Sequence, residues 1–314
     1  MRRFKKIMVV YNRKIGDDAG LERAINLARA NNAHLTVAET VGDGEFVDTR
    51  IVDERSAHLN RFAAGLCHEG VSACAQVLHG NAAVEIMRHI LEENIDLLLV
   101  SEDRSRGWQY LTQGGTVRSL IRKCPCPVWV IQPDSGPRFG RVLAAVELDD
   151  NQEARALDLK VLELASSLAR GEGCRLDTLH AWDFTGLERD TSRSEITPEI
   201  MNSLVDLNIR RRKALMKKLL GSVDLEGVGV SSHFPRGETE EEIQNFVPQN
   251  KIDLVVMGSR PPSGFLGLWA GGAAEGVIAA TNCAILVIKP DGYISPIEQA
   301  LVGNYPDRRP TNAA

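Results

Sequence analysis

Two sets of positions in this chain are placed to meet a ligand. One is Asn12, Ser101, Arg104, Gly114, Gly115 and Thr116; the other is Glu147, Gly258, Ser259, Arg260, Gly271 and Gly272. Glycines, small hydroxyls and a few charges suit the holding of a small molecule better than the breaking of bonds in it. Catalytic signatures are missing: there is no G-x-x-x-x-G-K-[S/T], no G-x-S-x-G, no H-E-x-x-H and no H-x-G-H. The 7 histidines are scattered and none is paired with a nucleophile. His89 falls on a core-facing helical stripe with Ile86 and Ile90, which makes it a packing residue. The 6 cysteines include no C-x-x-C, and the C-P-C at Cys124 and Cys126 lacks the second pair a zinc site would need. Cys126 and Cys283 read as small apolar residues in helix-to-strand joints. No catalytic or metal-binding residue is assigned.

The elements that position those sets alternate between strand and helix. "KKIMVVY" from Lys5, "HLTVAE" from His34, "ACAQVLHG" from Ala73, "DLLLVS" from Asp96 and "VWVI" from Val128 are short apolar runs of the buried-strand kind. Helical spacing fills the gaps at Leu21 to Ala28, Asp53 to Leu66, Ala82 to Glu93 and Gly115 to Lys123. "RVLAAV" from Arg141, a helix from Glu153 to Ala169, "RLDTLHA" from Arg175 and a helix opening at Thr197-Pro198 begin a second series. "TEEE" from Thr239 reads as a capping box ahead of Ile243, Phe246 and Val247. Strands that are apolar throughout and separated by helices imply a parallel sheet covered on both faces. In such a sheet ligands bind beyond the carboxyl ends of the strands, at the switch in strand order. That rule selects the residues after the first and fourth strands and at the start of the last helix.

The second series repeats the first. "GNAAVEIMRHILEENIDLLLVSE" from Gly80 lies over "GETEEEIQNFVPQNKIDLVVMGS" from Gly237, an offset of 157 residues in a chain of 314. The register holds through Gly107/Gly264, the two Gly-Gly pairs and Cys126/Cys283, and ends with "VIQPD" over "VIKPD". A register lasting that long marks duplicated domains rather than a solenoid, whose period would be roughly 20–50 residues. The expected organisation is two tandem doubly wound, five-stranded α/β domains at 1–134 and 141–291. A linker at 135–140 joins them, a polar insertion spans 183–196, and a C-terminal tail runs over 292–314.

A net charge of −5 gives no electrostatic footprint for nucleic acid. No apolar run has the length of a membrane span, and "MRRFKK" reads as the flank of a strand, neither anchor nor signal. The expectation is a cytoplasmic protein without nucleic-acid or membrane partners. Trp108, Tyr110 and Leu111, with Phe265, Leu266, Leu268 and Trp269, are unusually apolar for loops. They either roof a cleft or form a surface for an apolar ligand or partner.

The layout resembles the universal stress proteins, and its tandem form looks most like the UspE type. "SLIRKCPCPVWVIQP" from Ser119, "VIKPDGYISPIE" from Val287 and "MGS" from Met257 carry the resemblance across essentially the whole chain. In nucleotide-binding members of that family the loop after the fourth strand reads G-x2-G-x9-G-[S/T]; its glycines and helix-start amides receive phosphates. The second half matches Gly258 and Gly271, with Pro261 and Gly272 in place of the second glycine and the hydroxyl. The first half has Ser101, Arg104, Gly114 and Gly115 there, with Thr116 one residue late. The family aspartate after the first strand is Asn12 in one half and Glu147 in the other. The resemblance thus implies a stress-response module that binds a small ligand or protein partners, with degenerate nucleotide loops. ATP, held mainly by the second half with charge from Arg104, Arg106 and Arg260, is the alternative. It also implies pairing of "PVWVI" with "AILVI" in an intramolecular pseudo-dimer, leaving a homodimer of full chains open.

Overall fold

The computed structural model describes residues 4–11, 19–42, 49–101, 115–132, 136, 138–149, 151–183, 198–260 and 273–304. The first copy runs β1 (Lys6–Val10), α1 (Ala19–Asn31), β2 (His34–Val41), α2 (Thr49–His68), β3 (Ala73–His79), α3 (Ala82–Glu93), β4 (Leu97–Ser101), α4 (Thr116–Lys123), β5 (Val128–Ile131). The second runs β6 (Arg141–Ala145), α5 (Gln152–Glu172), β7 (Arg175–Leu179), α6 (Pro198–Leu220), β8 (Val230–His233), α7 (Thr239–Asn250), β9 (Leu254–Gly258), α8 (Ala273–Ala280), β10 (Ala284–Ile288). A further helix, α9 (Pro296–Asn304), follows.

The chain folds into two compact units whose boundaries do not follow the repeat. Unit one takes the first copy together with 259–275 and 284–314, and unit two takes 138–258 and 276–283. In unit one the strand order is β3-β2-β1-β4-β5-β10. The neighbours are parallel, with Val9 opposite both Val37 and Leu99, until β10 pairs antiparallel with β5, Leu286 opposite Trp129. In unit two the order is β9-β6-β7-β8, all parallel. Both units thus have the doubly wound α/β layout, and the two copies' last strands pair within one chain.

Burial follows strand position. Ile7, Met8, Val9, Leu97, Leu98, Leu99 and Val130 are fully buried in unit one, as are Val142, Leu143, Leu254 and Val255 in unit two. The outer strands β3 and β8 carry alanine, serine and histidine and are only partly covered. That polarity suits an edge, where apolar flatness would invite foreign strands. The copies also share backbone conformation where their residues differ. Asn94 and Lys251, one repeat offset apart, both end their helices in the left-handed region, at φ 53° and 52°.

Two expectations change in the folded chain. The "TEEE" capping box does not form: Glu238 occupies the N-cap without a side-chain bond and Thr239 is already helical. Glu242 instead turns back over Gly237, which has φ +156°. The equivalent Asn81 of the first copy does cap, accepting from the Val84 amide at 3.2 Å. In α7 the three glutamates of the first turn offset the helix dipole instead. The segment read as a tail folds, within the described residues, as far as the helix ending at Asn304. Tyr293 donates its hydroxyl to the Arg122 carbonyl (2.9 Å) and Ser295 donates to the Lys123 carbonyl (2.6 Å), so the tail satisfies the last carbonyls of α4. α9 then packs on α3. Among the described residues no helix is long and apolar enough to cross a membrane.

Ser295 is fully buried, so Ser295→Ala should cost about 1–2 kcal/mol through the lost bond to a buried carbonyl. Urea denaturation measures this directly. Wild-type stability would mean that the tail is not held by this contact.

Candidate functional site

In unit one, Ser101 closes β4 opposite Ile131 of β5, half-buried. Gly115 is the N-cap of α4 (φ −58°, ψ 154°) without a side-chain bond, and Thr116 is the first helical residue. Amides at such a start have no partner within the helix, so this end can receive a polar group. Ser259 is tied down twice. Its amide donates to the Ile288 carbonyl (2.9 Å), and its hydroxyl accepts from Lys289 Nζ (3.1 Å). Arg260 beside it is half-buried.

Lys289 is the residue that the sequence reading missed. It lies just past β10, only 5% exposed, with its ammonium 5.2 Å from the Tyr293 ring centroid. Burial pulls its pKa down to about 7 and raises the Tyr293 phenol to about 12. The signal was present in "VIKPD" against "VIQPD", where a charge replaces Gln132 after an otherwise apolar strand.

In unit two, the loop after β6 carries Glu147, whose side chain is exposed. Its conformation is set from beneath by Asp158 of α5. Asp158 accepts from the amides of Glu147 (3.0 Å) and Leu148 (2.9 Å). Leu148 stands at φ +52°, a conformation bulky residues avoid, so these two bonds hold a strained turn. Burial raises the Asp158 carboxyl to about 7 despite the amide donors. Asp158 was detectable as an acid on the stripe of Ala154, Leu157, Val161 and Ala165.

Beyond β7, His180 Nδ1 contacts the Val146 carbonyl at 3.0 Å and its Nε2 meets Arg212 of α6. Burial lowers His180 to about 4, so it is neutral at pH 7. Deeper in the sheet, Asp177 is fully buried between Arg141 (2.8 Å) and His233 (2.8 Å). Gly258 ends β9, and a Cβ there would come 2.6 Å from Leu157 Cδ2. Packing of α5 on the sheet therefore favours glycine here whatever the loop binds, because any larger residue would have to displace the buried Leu157 side chain.

Asn12, Arg104, Gly114, Gly271 and Gly272 lie outside the described residues, as do Arg106, Pro261, the loop aromatics and nearly all of the 183–196 insertion. Of the remaining candidates, Ser259 is brought to Lys289 and Glu147 to Asp158, while Gly115 and Thr116 open the same helix. Among the described residues, no group of three or more His, Cys, Asp or Glu is arranged to hold a metal. Cys126 and Cys283 are buried in their joints, with Cys124 Sγ 3.6 Å from Cys126 Sγ. Burial pushes the Cys126 thiol well up, which keeps it protonated. His89 is half-buried on α3 between Ile86 and Ile90.

Comparison with known proteins places this geometry. The profile of the universal stress protein family matches residues 3–132 and again 138–289. The chain belongs to the universal stress protein family. It carries two of the family's domains in tandem. It is 24% identical to universal stress protein E of Photorhabdus laumondii over 317 residues, covering 96% of this chain and 99% of that one. Universal stress protein E of Escherichia coli is 24% identical over 319 residues, with 95% and 98% covered. Among solved structures, a functionally unknown protein of Pseudomonas aeruginosa superposes with a TM-score of 0.75 at 20% identity, over 96% of this chain and 98% of that chain. These matches extend over both copies, so the tandem arrangement is shared with the relatives, as is the fold.

The Asp158 shift gives a signed pH dependence. Its folded pKa of about 7 exceeds the unfolded 3.8, so folding takes up a proton and the stability it contributes is lost as pH rises from about 4 to 7. His180, lowered to about 4, acts in the opposite sense, its contribution fading as pH falls from about 6.5 to 4. The diagnostic quantity is therefore the difference between wild type and Asp158→Asn. The variant should gain on the wild type steadily between pH 4 and 7 in thermal melts. A constant difference would refute the buried-acid assignment.

Proposed function

We propose that this universal stress protein is a binding module without turnover, taking a small ligand other than ATP, or a protein partner, at the strand ends of its two copies. The observation that carries this reading is the commitment of the described strand-end groups to the fold itself. The Ser259 amide and hydroxyl are engaged by Ile288 and Lys289. The Glu147 and Leu148 amides are engaged by Asp158, and Gly258 is explained by Leu157. A phosphate cradle depends on free amides converging on one anion. With Pro261 at the second glycine position and Gly272 at the hydroxyl position, the second loop lacks an amide and an oxygen such a cradle would use.

The contact residues differ between copies, Asn12 against Glu147, Ser101 against Gly258 and Arg104 against Pro261, so the two clefts serve different ligands. A second reading, an ATP-binding switch, rests on the helix start at Gly115 and Thr116, whose first-turn amides have no side-chain cap and no partner within the helix, and on the retained Gly258 and Gly271. The catalytic sequence signatures missing from the chain fit a role without turnover.

Native mass spectrometry of protein purified from its own cells, with an ATP–Mg²⁺ titration, separates the readings. We expect no saturation by ATP up to about 1 mM, equivalent to binding weaker than about −4 kcal/mol, and a non-nucleotide mass or a co-purified protein. Micromolar ATP binding would overturn the proposal in favour of the switch. Steady ATP hydrolysis abolished by Thr116→Ala would overturn the assignment of a module without turnover.

A further inference from the structure

Arg118 and Glu275 hold the same place in the two copies, one repeat offset apart. In the folded chain these equivalents meet, with Arg118 Nε 2.5 Å from Glu275 Oε2. Arg122, one turn further along α4, completes the cluster: its Nη2 donates to Glu275 Oε2 (2.9 Å) and its Nε to Oε1. The position equivalent to Arg122 is Ala279, so this second contact has no counterpart. Trp129 and Leu286 are also equivalents, and they too stand directly opposite each other, in the β5–β10 ladder.

A residue that faces its own equivalent lies on the local two-fold axis relating the two last strands. Two identical copies joined about that axis would put every such side chain against itself. Arg118 would face Arg118 and Trp129 would face Trp129; in the other self-pairing, Glu275 would face Glu275 and Leu286 would face Leu286. The backbone ladder cannot tell these pairings apart, because any exposed edge strand accepts any other. Discrimination must come from side chains, and here a charge and a volume have both diverged. The three charged side chains are only 26%, 21% and 13% exposed, so a like-charge encounter would be weakly screened.

We propose that Arg118, Arg122 and Glu275, with Trp129 against Leu286, form a recognition code on the last-strand surface that accepts the unlike copy and rejects its own. The partner this surface fits is a universal stress protein domain of opposite charge at the equivalent position, supplied here from within the same chain. The code makes the intramolecular pairing exclusive and closes this edge to homodimers of like copies. It combines an attractive contact with a repulsive alternative, as partner specificity generally requires. It is independent of what either cleft binds.

The test uses full-length chains. Glu275→Arg makes all three positions basic, and Arg118→Glu with Arg122→Glu makes all three acidic. Each chain alone should melt about 5 °C or more below wild type, and the combination of all three substitutions in one chain should recover at least half of the loss. The two mismatched chains, one isotopically labelled, are mixed, warmed to the onset of unfolding and cooled. A mixed dimer with exchanged copies should then exceed either self-dimer by roughly tenfold or more in native mass spectra, equivalent to about 1.4 kcal/mol. Unchanged melting in both variants, no recovery in the triple variant, or a mixed dimer no more abundant than the self-dimers would overturn the proposal.

Discussion

The antiparallel contact between β5 and β10 is the constraint on which the rest of unit one depends. β5 is four residues long and buried throughout, and a strand of that kind left at a sheet edge is an open template. β10 closes it and brings its own flanking chain along. Lys289 follows directly and reaches Ser259; Tyr293 and Ser295 then tie off α4, and α9 settles on α3. A single strand pairing thus decides that the second copy's C-terminal segment completes the first copy's core. It also explains why the compact units cut across the repeat: contacts made after β9 outweigh continuity of sequence.

Around that contact the copies have diverged in a physically ordered way. Positions whose backbone must take a given shape are kept, even when the residue changes, as at Asn94 and Lys251. Positions that face a strand end or the local axis are free to differ, and they do: Gln132 becomes Lys289, Arg118 becomes Glu275, Trp129 becomes Leu286. Each exchange introduces a charge or volume that only a particular neighbour can satisfy. Lys289 is tolerated because Ser259 and the Tyr293 ring receive it, and Glu275 because two arginines do. Duplication supplied a symmetric frame, and the asymmetry accumulated where side chains meet something other than their own core.

Much of the fold was legible beforehand. The central strands stood out as apolar runs because both faces of a parallel sheet are covered, and the repeat fixed their order twice over. β8, with the sequence "VSSH", gave no such signal because an edge strand buries little. The last helix was also missed, since its docking rests on two hydroxyls reaching carbonyls far away in sequence. At the candidate site the sequence located the strand-end residues but not their supports. Asp158 and Lys289 act through burial, and burial is a property of what surrounds a residue.

By itself, then, the chain's sequence determined the doubled α/β frame, the helix and strand faces, and the departures from the nucleotide loop. These are local: they follow from periodicity, from glycine and proline stereochemistry, and from a register carried along the chain. Only the tertiary structure decided that Arg118 meets its own equivalent at Glu275, that Lys289 is buried against Ser259, and that the amides of Glu147 and Ser259 are already engaged. Those outcomes depend on which distant groups share a desolvated space. The free energy of a charge or an amide is set there by its neighbours, and spacing along the chain does not encode it.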